Sequence, residues 1–350
     1  MSTNVADMAI KSFPGFTAFP ARHCVTGSMR HVYQMMGRDV GEEMLLGLGA
    51  GVGFVYWHQK GQPPFLGGRA NVGRPGEDGL ESHAGRRTGV VVAATSTSSA
   101  RKAQDRLVAD LSAEVPAMLQ VDMGLLPYFD FPGEYHFGGH VIGVVGFDPQ
   151  SATVLVCDRD TGTHQVSLAD LAAARGSTFQ PFPPRHRAWA FDFAGQRPPT
   201  PDEVRTAIEE VATGMLQPPI SNLGVAGIRK AARLVPGWPA LLGAEPLRDA
   251  CRNGFIMIDE VGGTGGGLFR YMYARFLDEA AAITGDLAFG EIGARLHAAG
   301  DGWQQVAALF DEAAGGEDPS PLLAEISAVL SLVADAEEGA WRDLLAASRR

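Results

Sequence analysis

Residues 140–147 read HVIGVVGF, and after DPQSA at 148–152 the chain resumes as TVLVCD at 153–158. The first run is continuously apolar behind its leading histidine, which marks a strand buried on both faces. Asp, Pro and Ser between the runs are turn chemistry. Together they predict a β-hairpin in the middle of a sheet.

Upstream, Val25, Met29, Val32, Tyr33 and Met36 recur at helical spacing, so 24–37 is predicted helical with Gly37 as its stop. A second helix is expected at 41–48, a long loop with short strands at 59–88, strands at 90–94 and 118–122, and an amphipathic helix at 99–113. Residues 194–201 (AGQRPPTP) gather Pro, Gly and polar side chains, the usual sign of a boundary. Beyond it the patterns are helical at 202–215, 224–234, 269–282, around 303–313, and at 321–345 as one helix or two. The fold expected is α+β, with a first domain at 1–197 built on a central antiparallel sheet and a mostly α-helical accessory domain at 198–350.

At 350 residues, about two domains are expected. The chain is 45% hydrophobic and 20% charged, which is globular. Its 29 Lys and Arg against 40 Asp and Glu give a net charge of −11. That excludes a sequence-independent nucleic-acid binder and a protein held to anionic lipid, since both need cationic surfaces. The first twenty residues lack a charged segment followed by an apolar core, so no signal peptide is expected. The longest uncharged apolar run, 44–57, falls short of the ~18–20 residues that span a bilayer. A soluble, cytoplasmic protein is the expectation. Cys24, Cys157 and Cys251 are too few and too scattered for a disulfide framework or a zinc knuckle, so each is a core residue or a reactive one.

Cys24 falls at the predicted start of a helix. There the partial positive charge and the unpaired N–H groups of the first turn favour a thiolate and can hold an oxyanion. Taken alone, a free cysteine is more often a small buried hydrophobe. His140 opens the central strand, and an imidazole is tuned to move protons near neutral pH. If Phe147 faces Thr153, His140 faces Asp160, and Asp158 lies one diagonal step away on the same face. A carboxylate there can fix the imidazole's tautomer, with Asp158 preferred and Asp160 the alternative. Cys157 then points to the opposite face, as core.

Cys on a helix, His on a strand and Asp on the next strand is the chain order of papain-like cysteine chemistry. The His23-Cys24 pair, the segments through Gly53-Phe54 and from Asp122 to Tyr128, and the pattern HFGGHVIGVVGFD followed by VCD resemble the butirosin-biosynthesis acyltransferase family. That family is similar to C39-type cysteine peptidases, which implies a papain-like, cysteine-protease-like fold for the catalytic domain at 1–197. Downstream, SNLGVAGI at 221–228 and DEVGGTGGGLFRYMYARFL at 259–277 resemble the helical domain that accompanies it. The resemblance implies acyl transfer through a cysteine thioester; a member of the family moves an aminoacyl group from an acyl carrier protein to an aminoglycoside amine. Cys24 is then the nucleophile, His140 the general base and acid, and Asp158 its orienter. No Gln precedes Cys24 as an oxyanion donor, which leaves His23 or the backbone. No tightly bound cofactor is implied. The donor is a phosphopantetheine-linked acyl group, and the partners are an acyl carrier protein and a small amine or polyketide-type acceptor. The oligomeric state is open, a homo-oligomer included.

Other residues support this reading less directly. Gly265, Gly266 and Gly267 close a glycine run before a predicted helix and could admit a phosphopantetheine phosphate, although a tight packing turn explains them more simply. Glu260, Arg270 and Tyr273 flank that run as candidate substrate contacts, or Glu260 and Arg270 pair with each other. Asp122 and Tyr128 lie on the approach to His140 and could line the acceptor pocket, or serve a turn. His136 and His140 lack helical context and an HExxH glutamate, so no metal site is expected. No GxSxG elbow occurs. Docking an acidic carrier protein onto an acidic chain would need a local basic patch, with 69–87 and 229–233 as the candidates. The rival readings are a C39-like cysteine peptidase or amidase, in which water resolves the acyl group, and an inactive binding scaffold.

Overall fold

The computed structural model describes residues 10–59, 63–73, 78–131, 134–180, 182–260 and 266–350. In chain order the elements are α1 (Cys24–Met35), α2 (Glu42–Leu48), β1 (Val52–Trp57), β2 (Phe65–Arg69) and α3 (Leu80–Arg87). Next come β3 (Val91–Thr95), α4 (Ala100–Ser112), β4 (Ala117–Val121), β5 (His140–Asp148), β6 (Thr153–Cys157), β7 (His164–Ser167), α5 (Leu168–Gly176) and β8 (Ala188–Asp192). The remainder is helical: α6 (Pro201–Leu216), α7 (Gly224–Leu234), α8 (Trp238–Leu241), α9 (Ala244–Ile258), α10 (Gly266–Thr284), α11 (Ala288–Gly315) and α12 (Ser320–Ser348).

These residues form two compact units. The first contains 10–42 and Val90–Gly195; the second contains Glu43–Gly73, Asp78–Gly89 and Gln196–Arg350. A single cut at 197/198 therefore misplaces residues 43–73 and 78–89, and hydrogen bonding gives the reason. Tyr56 N–H donates to the Asn222 carbonyl at 2.8 Å, and Asn222 Nδ2 returns a bond to the Tyr56 carbonyl at 2.8 Å. The apolar run that looked too short for a membrane is thus the strand and helix that the C-terminal helices close over. Gly47 lies so near the Phe276 ring that a Cβ would stand 2.2 Å from it. No described helix is long and apolar enough to cross a membrane.

The first unit is a six-stranded antiparallel sheet in the order β3-β8-β4-β5-β6-β7. β5 is central and buried along most of its length, as its unbroken apolar run requires. One face carries Leu119, Ile142, Val144, Val154 and Val156, packed with Leu107 of α4 and Leu171 of α5. Val145, Leu155 and Cys157 form a second cluster, so Cys157 is core. α1 packs on β4 and β5. It ends where Gly37 adopts φ +78°, with Gly37 N–H on Gln34 and Arg38 N–H on Tyr33, the paired bonds of a left-handed helix stop.

The second unit is helical apart from the β1–β2 hairpin. Trp238, Trp303 and Trp341 are wholly buried in it. Three expectations change here. α3 lies inside the stretch expected as loop, α9 had no forecast, and α11 runs far upstream of 303. The region at 321–345 is one helix.

Candidate active site

The β5–β6 hairpin sets the site through its register. Next to the turn, Asp148 pairs with Thr153, Phe147 with Val154 and Gly146 with Leu155. Continued unbroken, that register would set Asp158 opposite Gly143, on the face away from His140. A bulge between Val144 and Gly146 shifts it by one, so that Val144 faces Val156 and Gly143 faces Cys157. Asp158 and His140 then share a face. The expected Phe147–Thr153 pairing is therefore off by one at the turn. There the Asp148 carboxylate takes the N–H groups of Gln150 and Ser151 and closes a tighter loop.

His140 Nε2 lies 2.7 and 2.9 Å from the two Asp158 carboxylate oxygens. The Tyr128 hydroxyl donates to Asp158 Oδ2 at 2.8 Å, and the Arg159 N–H donates to Oδ1 at 2.8 Å. His140 is 3% exposed and Asp158 7%. Phe129 sets its ring edge-on to the imidazole, 5.9 Å between centroids. Asp160, the alternative partner, holds His164 Nε2 at 2.9 Å instead.

Besides its contact with Asp158 through Nε2, His140 hydrogen-bonds the Cys24 side chain. Cys24 is the first residue of α1, with His23 as the N-cap. One turn on, Ser28 Oγ donates to the Val141 carbonyl at 3.3 Å and ties the helix to the strand that carries His140. The charges reinforce one another. Burial alone would lower the His140 pKa, but the Asp158 charge and hydrogen bond, together with Cys24, raise it above the ordinary imidazole value. Burial pushes the Asp158 carboxyl up, yet His140, Tyr128 and Arg159 bring it below the ordinary value. The other two thiols differ: burial pushes Cys157 far up and Cys251 up to about 11, so both stay protonated. A thiol at a helix start beside an imidazolium held by a carboxylate is an arrangement that can form a nucleophilic thiolate and return a proton.

Residues 23–159 match the family model described as butirosin biosynthesis protein H, N-terminal. Residues 169–344 match a second, described as a domain of unknown function (DUF4872). The second match spans just over half of the chain, which belongs to that DUF4872 family; residues 23–159 are similar to the butirosin biosynthesis protein H N-terminal domain. No curated protein matches it. The butirosin protein H match begins one residue before Cys24 and ends one residue after Asp158, so it brackets the whole constellation.

Within the butirosin protein H segment, the remaining sequence candidates are supporting residues in this structure. His23 is buried with Nδ1 3.2 Å from Thr26 Oγ1. Asp122 is fully buried and saturated. Its carboxylate takes Ser177 Oγ at 2.6 Å, His136 Nδ1 at 2.9 Å, and the N–H groups of Phe137 and Gly124 at 3.0 and 3.1 Å. It locks the loop that leads into β5 rather than lining an acceptor pocket. Tyr128, forecast as a substrate contact, spends its hydroxyl on Asp158 and stacks on His164 at 4.0 Å.

The second unit also keeps its candidates to itself. Arg270 is wholly buried and pairs with Glu337 through two 2.8 Å bonds, not with Glu260. Tyr273 is wholly buried against Phe276 and Trp341, and burial pushes its hydroxyl pKa up. Glu260 is exposed. Gly265 lies outside the described residues. Gly266 and Gly267 begin α10 against Trp303 and Gln304; a Cβ on Gly266 would stand 2.5 Å from the indole, which is the tight packing turn. In the two basic stretches Arg69 pairs with Glu81, Arg86 with Asp78, Arg87 with Glu210, and Arg229 with Asp335 and Glu338. Among the described residues no group of three or more His, Cys, Asp or Glu side chains could hold a metal ion.

One supporting residue escaped the sequence reading. Glu42 is 3% exposed, and its carboxylate takes the Arg22 and His23 N–H groups at 3.1 Å and the Thr26 hydroxyl at 3.4 Å. It clasps the chain on both sides of Cys24. A charged residue opening the apolar helix EEMLLGL was the available signal, but nothing in the sequence names its partners.

Proposed function

We propose that this protein is a cysteine-dependent acyltransferase of papain-like type. It would take an acyl or aminoacyl group from a carrier-protein or coenzyme A-type thioester and pass it to an amine acceptor or an intramolecular nucleophile. One observation carries the reading: His140 is held at once by Asp158 and by Cys24, at the start of α1. The name of the domain that residues 23–159 resemble, which refers to butirosin biosynthesis, supports an acceptor from secondary metabolism.

In the first half-reaction the Cys24 thiolate adds to the thioester carbonyl carbon. The oxygen takes the negative charge, facing the first-turn N–H groups of α1. The intermediate collapses by breaking the donor C–S bond, and the departing phosphopantetheine sulfur takes the proton from the His140 imidazolium. In the second half-reaction the acceptor amine adds to the Cys24 thioester, His140 accepts its proton, and the C–S bond to Cys24 breaks. Asp158 holds the imidazole in one tautomer and balances its charge throughout. Tyr128 holds Asp158.

Two measurements test this. Limiting iodoacetamide at about pH 6, well below the ~8.5 of an ordinary thiol, is expected to label Cys24 selectively, and more slowly in His140→Ala. Incubation with acyl N-acetylcysteamine thioesters is expected to add one acyl mass at Cys24, discharged faster by amines than by water. Discharge by water alone would make the protein a hydrolase. Labelling of Cys24 no faster than Cys157 and Cys251, with no acyl adduct, would sink the reading in favour of a binding scaffold.

A further inference from the structure

β4 and β8 pair at Met118–Trp189 and Leu119–Ala188, and Gln120 N–H donates to the Arg187 carbonyl at 3.0 Å. Where they part, a cavity of about 700 Å³ opens within the first unit, lined from α1, α4, β4, α5 and β8. Its walls are largely apolar: Val32, Leu107, Leu119, Trp189 and Phe191 contribute. One charge lies deep in the wall. Arg175 is 3% exposed, and among the described residues its guanidinium makes one hydrogen bond, from Nη1 to the Ala103 carbonyl at 3.3 Å. Among the described residues its Nε is buried with no hydrogen-bond partner, as are Trp189 Nε1 and His186 Nδ1, both from residues that line the same cavity. A buried cation without a counter-ion is costly. Burial alone accounts for the lowering of the Arg175 pKa to about 10, with no carboxylate contributing. Of the other charges on the lining, Arg106 pairs with Asp110 at 3.9 Å, and Lys102 and Glu114 are of opposite sign. The backbone beside Arg175 is strained, since the neighbours Arg185 and His186 both sit at φ +52°.

We infer that this cavity is a binding site for a small monocarboxylate with an apolar body, a medium-chain acyl or aryl acid, whose carboxylate neutralises Arg175. A guanidinium fork matches a carboxylate edge to edge. A single buried cation suits a singly charged head better than a phosphate dianion. The volume falls in the roughly 300–1,000 Å³ range of small-molecule pockets. None of Cys24, His140 and Asp158 lines the cavity, so the inference stands independently of acyl transfer, and its test reads binding.

The full-length protein is titrated calorimetrically with decanoate, 1-decanol and acetate. Decanoate is expected to bind about tenfold or more tightly than decanol, the difference a single charge-assisted contact supplies, and acetate weakly for want of an apolar body. In Arg175→Met that preference should fall to within about twofold, with a melting temperature no lower than wild type, because an unpaired buried charge has become a hydrophobe. Ala190→Trp, at an exposed position on the cavity lining, should weaken decanoate and decanol together while keeping their ratio. Equal affinity for decanoate and decanol in wild type, or no saturable decanoate binding, overturns the inference. So does an Arg175→Met protein that melts lower and keeps the wild-type preference, which would make the guanidinium a structural prop.

Discussion

Among the described residues each unit has one ion pair with both partners buried, and the two are put together differently. In the second unit the Glu337 carboxylate takes both ends of Arg270, then Trp303 Nε1 at 2.6 Å and Trp341 Nε1 at 3.0 Å, while Arg270 Nη1 donates to the Gly53 carbonyl at 2.8 Å. Both partners are wholly enclosed. In the first unit Asp158 is nearly as well satisfied, but its partner is an imidazole that also hydrogen-bonds the Cys24 thiol. Both pairs are buried and bidentate. They differ in whether a proton can travel onward. Arginine ends the chain of exchange, because it keeps its proton at any physiological pH. Histidine extends it.

The comparison can be broken by exchanging what each pair is asked to do. Asp158→Asn should cost the most activity, on the order of 10³–10⁴-fold in acyl transfer, or about 4–5 kcal/mol of barrier, while barely moving the melting temperature. Single-turnover discharge of a thioester checks it, and a collapse of stability with residual activity intact would reverse the roles assigned to the two pairs. Arg270→Met should cost about 3–5 kcal/mol of folding stability, because it leaves a buried carboxylate unpaired. Urea unfolding reads that loss, and the molecules still folded should label at Cys24 at the wild-type rate. Tyr128→Phe removes one hydrogen bond to a charged carboxylate and should slow acyl transfer about tenfold, with KM unchanged because the hydroxyl touches Asp158 and not substrate.

The pair should also show in the pH dependence of stability. The raised His140 value stabilises the fold fully below its unfolded value of ~6.5 and loses that contribution as pH rises through about 9. The lowered Asp158 value stabilises above ~3.9 and is lost as pH falls through its folded value. The pair is therefore strongest between about pH 4 and 6.5. Between pH 6 and 9.5 wild type should lose about 3 kcal/mol more than His140→Gln, most of the full linkage of the raised value. Parallel unfolding curves for the two proteins would show that the pair has no such linkage.

The hairpin and the helix bearing Cys24 were legible because period and turn chemistry act locally. That Cys24, His140 and Asp158 are grouped was legible for the same reason, each lying at an element's end. The Asp158 placement came out right through two cancelling departures, a turn tighter by one residue and a bulge that restores the count. Long-range partners were not legible. Glu42 meets residues 22, 23 and 26 across a connection whose length says nothing of its path, and the swap of residues 43–73 into the second unit is written in backbone hydrogen bonds to Asn222. Arg270 and Tyr273 looked like surface chemistry because residue type suggests contact with a ligand, whereas their burial depends on helices far away in the chain.

The bulge in β5 also bears on how this site is found in other chains. If Val145 were deleted, Val144 could still meet Val156 and Gly146 still meet Leu155, so His140 and Asp158 would stay on one face with one residue fewer between them. A substitution that flattened the bulge and kept every residue would turn the aspartate away. Kinship in this constellation is therefore a matter of parity across the hairpin, not of fixed spacing. A search pattern that insists on one interval would discard working relatives and admit silent ones.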